Sequence, residues 1–221
     1  MPPDEFYPKE YTDLSRRVLD RFLADVPDAI LIGGWATWTW IGVLQSHDID
    51  VIVGPDTLSL IERHYGPLTP STHTGGRKWR GEIERIYLDV YVPYQSRLGG
   101  RLKLRVEALL PYTETVDGRR LLSLPAHLTT KFAALLDRPD SQPGEKDRIE
   151  IWRLLAQDIS PHEVGHVLRG SEAPGLDVVA AVRDVFTYLE DLELARAERL
   201  HLRTLRSTFA DAVERVLRRS L

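Results

Sequence analysis

Cysteine is absent from the 221 residues, which excludes disulfides, zinc–thiolate sites and thiol nucleophiles. No apolar run approaches the length needed to cross a bilayer. The Pro-rich, acidic opening Met1-Pro2-Pro3-Asp4-Glu5 lacks the basic-then-apolar pattern of a signal peptide. A cytoplasmic location without membrane partners is the expectation. A surplus of positive charge is missing too: the formal net charge is −4, unlike the basic balance of a dedicated nucleic-acid binder, so any contact with RNA would fall to local patches. At this length the chain can bury one good core, with or without a helical appendage.

What is present concentrates between residues 30 and 53. Ile30-Leu31-Ile32 runs into Gly33-Gly34-Trp35-Ala36, and thirteen residues separate Gly34 from Asp48-Ile49-Asp50, which is followed by Val51-Ile52-Val53. Residues two apart on a strand share a face, so Asp48 and Asp50 project together while Ile49 and Val51 point into the core. Two carboxylates on one face can hold Mg²⁺, which prefers a few carboxylate oxygens plus substrate phosphates to a closed protein cage. The diglycine supplies the complementary part. Without Cβ atoms Gly33 and Gly34 let the backbone approach a triphosphate, and a helix starting near Trp35 would aim N–H groups at it. Each half alone has an ordinary explanation, a tight turn or a solvated strand end. Together, in this order and spacing, they point to metal-dependent nucleotidyl transfer.

Gly33-Gly34, a helix-length spacer and Asp48-Ile49-Asp50 resemble the signature of the nucleotidyltransferase superfamily with the polymerase β-type fold. Two branches write it this way: the AbiEii-like group, which includes toxins of toxin–antitoxin systems, and the small antibiotic nucleotidyltransferases. The resemblance implies an α/β (α+β) fold in which a mixed β-sheet is flanked by helices. It also implies two magnesium ions, a nucleoside triphosphate as substrate, and a third acid on a later strand. Asp89 in Ile86-Tyr87-Leu88-Asp89-Val90-Tyr91-Val92 fits that place, and its apolar neighbours predict a buried strand where a carboxylate needs a partner or a metal. Asp48, Asp50 and Asp89 are thus the catalytic and metal-binding candidates. Related sequences place a basic residue shortly before the Asp-x-Asp. Here Ser46 and His47 stand there, which leaves base preference open; Ser46 is a candidate to hydrogen-bond a phosphate or to cap the strand.

The rest of the chain reads as an α/β front and a helical back. A helix is expected over 12 to 24 with Leu14, Val18, Leu19 and Phe22 on one stripe. A strand over 29 to 32, a helix over 35 to 42 and a strand over 48 to 53 follow, stopped by Gly54-Pro55. Residues 56 to 64 read as helix, and 65 to 78, with Thr74-Gly75-Gly76-Arg77-Lys78, as a loop or short strand. Strands are expected over 79 to 84, 86 to 92, 103 to 109 and 112 to 116, with Asp117-Gly118 as a hairpin turn. The division falls near residue 122: a catalytic domain over 1 to 122 and a helical bundle over 123 to 221. Ser123-Leu124-Pro125 opens a helix running to Leu136, a loop spans Asp137 to Glu145, and the next helix begins at Lys146-Asp147.

This second block is similar to the AbiEii-like pattern of a helical lysine, an arginine about seven residues later and a Lys-Asp pair after a variable loop. The resemblance assigns Lys131, Arg138, Lys146 and Asp147 to phosphate or acceptor contacts. It also implies an RNA acceptor, such as a tRNA 3′ end, and an antitoxin protein as partner. The plain alternatives are a solvated lysine and a helix-capping Lys-Asp.

Two more helices are expected over 176 to 221, one with the stripe Val178, Val182, Val185, Phe186 and Leu189, the other with Leu200, Leu205, Phe209, Val213 and Val216. Interspersed acids make their Arg-rich surface read as an ordinary solvated face. His162 and His166 sit four residues apart, but Gly165 weakens a helix there and no third ligand is evident, so a zinc site is not expected. Trp35, Trp38 and Trp40 read as core packing, with Trp38 or Trp40 able to border a base or acceptor pocket. Two other readings of the chain stay open: a small hydroxylated molecule as acceptor, and a non-catalytic nucleotide-binding homologue.

Overall fold

The computed structural model of the chain describes residues 6–71 and 78–219; the opening Met1 to Glu5 and the Thr74-Gly75-Gly76-Arg77 stretch lie outside them. The front half runs α1 (Lys9–Asp25), β1 (Ile30–Ile32), α2 (Gly33–Ile41), β2 (Ile49–Ile52), α3 (Pro55–Tyr65), β3 (Thr69–Ser71), β4 (Lys78–Ile83) and β5 (Ile86–Tyr91). After it come β6 (Arg97–Leu98), β7 (Leu104–Arg105), α4 (Val106–Leu109), β8 (Thr113–Val116) and β9 (Arg119–Leu122). The back half is helical: α5 (Leu124–Asp137), α6 (Gln142–Leu155), α7 (Pro161–Leu168), α8 (Gly175–Leu189) and α9 (Arg196–Arg218).

Among the described residues the strands form a seven-stranded sheet in the order β3-β4-β5-β2-β1-β9-β8, and β6 with β7 forms a small separate ribbon. The sheet is mixed: β2 pairs β5 in parallel and β1 pairs β9 in parallel, whereas β1 and β2 run antiparallel. The expectation of a mixed sheet flanked by helices and followed by helices holds.

Alternation along the strands sorts side chains into two cores. Leu31, Ile49, Val51, Leu88, Val90 and Leu121 meet Val18, Leu19 and Phe22 of α1 and Ile61 of α3 on one face. Ile30, Ile32, Ile52 and Leu122 meet the apolar sides of α5 to α9 on the other. Each such large apolar side chain contributes about 1.5–3 kcal/mol on full burial. By the same period of two, Asp48, Asp50 and Asp89 fall on the second face, beneath α5 and α6.

Several boundaries differ from the sequence reading. The strand expected over 103 to 109 is only two residues long before the chain turns into α4, because Val106 and Leu109 both bury in the helical core, a one-turn spacing rather than a strand one. Helix α6 begins at Gln142, four residues before Lys146; Ser141 is its N-cap and accepts from the Gly144 N–H, so Pro143 lies inside the first turn, where its missing N–H costs nothing. Leu200 is 67% exposed and Leu202 is buried. Position 200 lies nine residues from Phe209, half a turn away at 100° per residue, whereas position 202 lies seven residues away and shares its face.

Candidate functional site

The diglycine turn is shaped by what lies against it. Gly33 has φ +66°, and a Cβ there would sit 2.2 Å from Asp50 Oδ2; a Cβ on Gly34 would sit 2.5 Å from Ser46 Oγ and 3.0 Å from Lys146 Nζ. Only glycine combines this backbone conformation with such close approach. Helix α2 starts on Gly33 itself, two residues earlier than expected, with no side-chain cap at Ile32. The turn is braced from α5: the Thr37 hydroxyl donates to the Gly33 carbonyl, and Thr37 Oγ1 lies 2.8 Å from His127 Nε2. Since a hydroxyl has one proton and Thr37 gives it to Gly33, the ring nitrogen facing Thr37 carries the donor hydrogen.

The three acids converge from two adjacent strands, yet their surroundings differ. Asp50 and Asp89 are direct partners across the parallel β2–β5 pair. Among the described residues nothing donates to Asp50, whose pKa is pushed up to about 8, by burial first and then by the charges of Asp48 and Asp89. Burial also works against ionised Asp48, but His47, the Ser46 hydroxyl, Lys146 and Lys131 outweigh it, and its pKa falls below the ordinary value. The Ser46 hydroxyl donates to Asp48 Oδ1 at 2.7 Å. Asp89, 3% exposed, is gripped from β4. Arg80 donates to both of its oxygens, Nε to Oδ1 and Nη2 to Oδ2, each at 2.7 Å, and Lys78 Nζ donates to Oδ2.

Facing the strands is a buried cluster of charges on α5 and α6. Asp147 accepts from Lys131 Nζ at 3.1 Å and from Arg138 Nε at 2.8 Å, while Glu150 pairs with Lys131 and, at 3.1 Å, with Lys146. Lys131 and Lys146 are each 5% exposed, Asp147 1% and Glu150 fully buried. Neither a solvated lysine nor a helix-capping aspartate describes this arrangement. Burial lowers the Lys131 pKa, but Glu150 and Asp147 outweigh it and hold the ammonium charged. Arg138 is the residue just after α5 and reaches the same aspartate from outside the helix.

The candidate catalytic, metal-binding and phosphate-contact residues line one cavity of about 380 Å³: Gly33, Gly34, Ser46, Asp48, Asp50, Asp89, Lys131, Arg138, Lys146 and Asp147. The lining also includes Tyr7, His47, Lys78, Arg80, Tyr91 and Glu150, of which only His47 drew notice in the sequence. Lys78 and Arg80 alternate with the period of a strand, and Glu150 stands one helical turn after Lys146, so their spacing carried a signal. Tyr7 carried none; its ring lies 4.1 Å from that of His47 and 5.2 Å from Lys146 Nζ. Burial foremost, then Asp48 and Glu150, push its pKa to about 12.

The tryptophans lie elsewhere. Trp35 is fully buried and donates to Ser15 Oγ, Trp38 packs under the Arg16 guanidinium, and neither Trp38 nor Trp40 lines the cavity. His162 and His166 meet edge to face, with ring centroids 4.8 Å apart. Among the described residues no group of three or more His, Asp or Glu side chains is arranged to hold a metal; Asp89 is bound to Lys78 and Arg80. No helix among them is long and apolar enough to cross a membrane.

No protein-family model matches the chain, and no curated protein matches it. Among solved structures, an antigenic nucleotidyltransferase-like protein from Paracoccidioides brasiliensis is similar over 85% of this chain and 95% of its own, at 15% identity and a TM-score of 0.41. JHP933 from Helicobacter pylori is similar over 97% of both chains, at 13% identity and a TM-score of 0.45. Likenesses at this level carry no functional argument; the chemistry of the cavity does.

Proposed function

We propose that this chain is a magnesium-dependent nucleotidyltransferase of the polymerase β-type fold, moving a nucleoside monophosphate from a nucleoside triphosphate to an acceptor hydroxyl. The observation that carries this reading is the meeting of Asp48, Asp50 and Asp89 with the Gly33-Gly34 turn on one cavity wall. The acceptor oxygen would form a bond to the α-phosphorus while the bond to pyrophosphate breaks.

The donor set suits magnesium: hard carboxylate oxygens, one of them on half-buried Asp50, which has no ion-pair partner among the described residues. Asp48 and Asp50 would hold the metal, with Asp89 completing the set, and the bound metal would offset negative charge developing at phosphorus. Asp89 would also orient the acceptor hydroxyl and take its proton. Gly33, Gly34 and Ser46 would bound the triphosphate, because the missing Cβ atoms let the turn lie directly against Asp50 and Ser46 and so bring its backbone N–H groups beside the acids. Lys131, Arg138 and Lys146 add positive charge on the opposite wall. With Asp147 and Glu150 fixing them, they would contact phosphates of nucleotide or acceptor without reorganising.

An RNA acceptor is the finer reading; it rests on the similarity of the Lys131, Arg138, Lys146-Asp147 block to the AbiEii-like pattern. The test is incubation of the purified protein with Mg²⁺, each of four α-labelled nucleoside triphosphates and total cellular RNA, beside Asp50→Ala. Label entering RNA with the parent alone supports the reading and identifies the nucleotide. Label entering only small hydroxylated compounds replaces the acceptor, and full activity in Asp50→Ala defeats the site.

A further inference from the structure

The grip on Asp89 is more than an ion pair needs. Arg80 alone satisfies both carboxylate oxygens with a two-pronged hydrogen bond, yet Lys78 is placed on the same Oδ2. Two cations on one carboxylate leave that trio of side chains net positive. The pair comes from one strand: Lys78 and Arg80 alternate on β4, and Arg80 is the direct register partner of Asp89. Asp50, the register partner of Asp89 on the other side, has no ion-pair partner among the described residues. Nor is the pair sealed in. The Arg80 side chain is 41% exposed, it lines the cavity with Lys78, and its guanidinium lies 5.1 Å from the Tyr87 ring, itself 49% exposed.

A guanidinium fork fits phosphate as well as carboxylate, and a lysine serves as a point charge for either. On the transferase reading above, from which this inference follows, Asp89 has work that a doubly paired carboxylate cannot do. We propose that Lys78 and Arg80 are a polyphosphate-binding pair parked on Asp89 in the resting protein. An entering polyphosphate draws them off, and the freed carboxylate turns to Asp48 and Asp50. Substrate binding thereby completes the acid set, and the empty site keeps it incomplete.

The exchange makes Asp89 a competitor of the ligand, which a purely structural ion pair would not be. Calorimetric titration with inorganic tripolyphosphate in EDTA tests this without metal, nucleotide or turnover. The parent is expected to bind, Arg80→Gln and Lys78→Gln each about tenfold more weakly, and Asp89→Asn more tightly than the parent. Thermal melts establish that each variant is folded; if Arg80→Gln is not, Arg80→Lys, which keeps the charge and loses the fork, replaces it with a smaller loss expected. No binding by the parent, unchanged binding in the lysine and arginine variants, or an Asp89→Asn protein that binds no tighter than the parent each overturns the proposal. A chain that transfers no nucleotide can still pass this test, and an active transferase can fail it, so the two readings fall separately.

Discussion

Asp50 and Asp89 stand opposite each other on parallel strands β2 and β5, and β4 supplies both of its cations to Asp89 alone. The asymmetry follows from strand order. Strand β5 lies between β4 and β2, so Lys78 and Arg80 pair with the nearer acid, and Asp50, with no ion-pair partner among the described residues, feels the charges of Asp48 and Asp89 more strongly than those of Lys78 and Lys131.

That isolation makes Asp50 costly in the absence of metal. Its carboxyl ionises near 3.8 when free and near 8 in the fold, so the unfolded chain gives up its proton first and stability falls as pH rises between those values, by ~1.4 kcal/mol per pH unit at most. Asp50→Asn removes the penalty. In EDTA the variant should outlast the parent in denaturant at pH 7.5 and match it near pH 4. With Mg²⁺ the parent alone should gain thermal stability, and transfer should be lost in the variant. Equal denaturation midpoints for the two proteins at pH 7.5 in EDTA would contradict this.

Gly33→Ala combines a left-handed backbone with a Cβ 2.2 Å from Asp50 Oδ2. A destabilisation of ~1–3 kcal/mol is expected, together with loss of transfer, because the new methyl displaces Asp50. Gly118, with φ +75° in the β8–β9 turn and no atom within 4 Å of its notional Cβ, is the control: Gly118→Ala should cost stability and spare activity. Urea melts and the labelled-nucleotide assay separate the two effects.

Asp147→Ala leaves Lys131 and Arg138 without their shared acceptor. Because Lys131 is buried but keeps Glu150 as a partner, the loss should be ~1.5–3 kcal/mol, the range for a lost hydrogen bond to a charged group. Arg138→Gln should cost ~1 kcal/mol or less, since that side chain is 46% exposed and exposed ion pairs contribute little. A smaller loss for Asp147→Ala than for Arg138→Gln in chemical denaturation would show that the cluster does not carry the helix pair.

His127 predicts an acid weakness of the fold. Burial first, then Lys131, lower its pKa from 6.5 to about 3. Below 6.5 the unfolded chain binds a proton that the native imidazole refuses, so stability is complete above that pH and declines by up to ~1.4 kcal/mol per unit as pH falls toward 3. His127→Gln should flatten this dependence between pH 6 and 4 while keeping a donor for Thr37. An unchanged pH profile in that variant would remove His127 as its source.

Much of the fold was legible because it follows local rules. Alternation in Ile49 to Ile52 and Ile86 to Tyr91 marked the central strands, and the apolar stripe of Val178, Val182, Val185, Phe186 and Leu189 marked a helix that buries it. Errors arose where two periods compete over few residues. Residues 103 to 109 could be read as strand until the burial of Val106 and Leu109 showed a turn of helix. Leu200 misses the Phe209 stripe by half a turn and is exposed.

The candidate site divides the same way. Which residues carry charge, that Asp48 and Asp50 share a face, and that glycines follow β1 are set by neighbours in the chain, where side-chain direction depends only on the backbone period. How each charge behaves depends on residues far away in sequence. Lys131 is buried rather than solvated because Glu150 and Asp147 come from another helix. Asp89 is paired and Asp50 is not because of the order in which strands lie in the sheet. Electrostatic energy depends on distance and on water excluded, and both are settled only when the sheet and α5–α6 close over the same space.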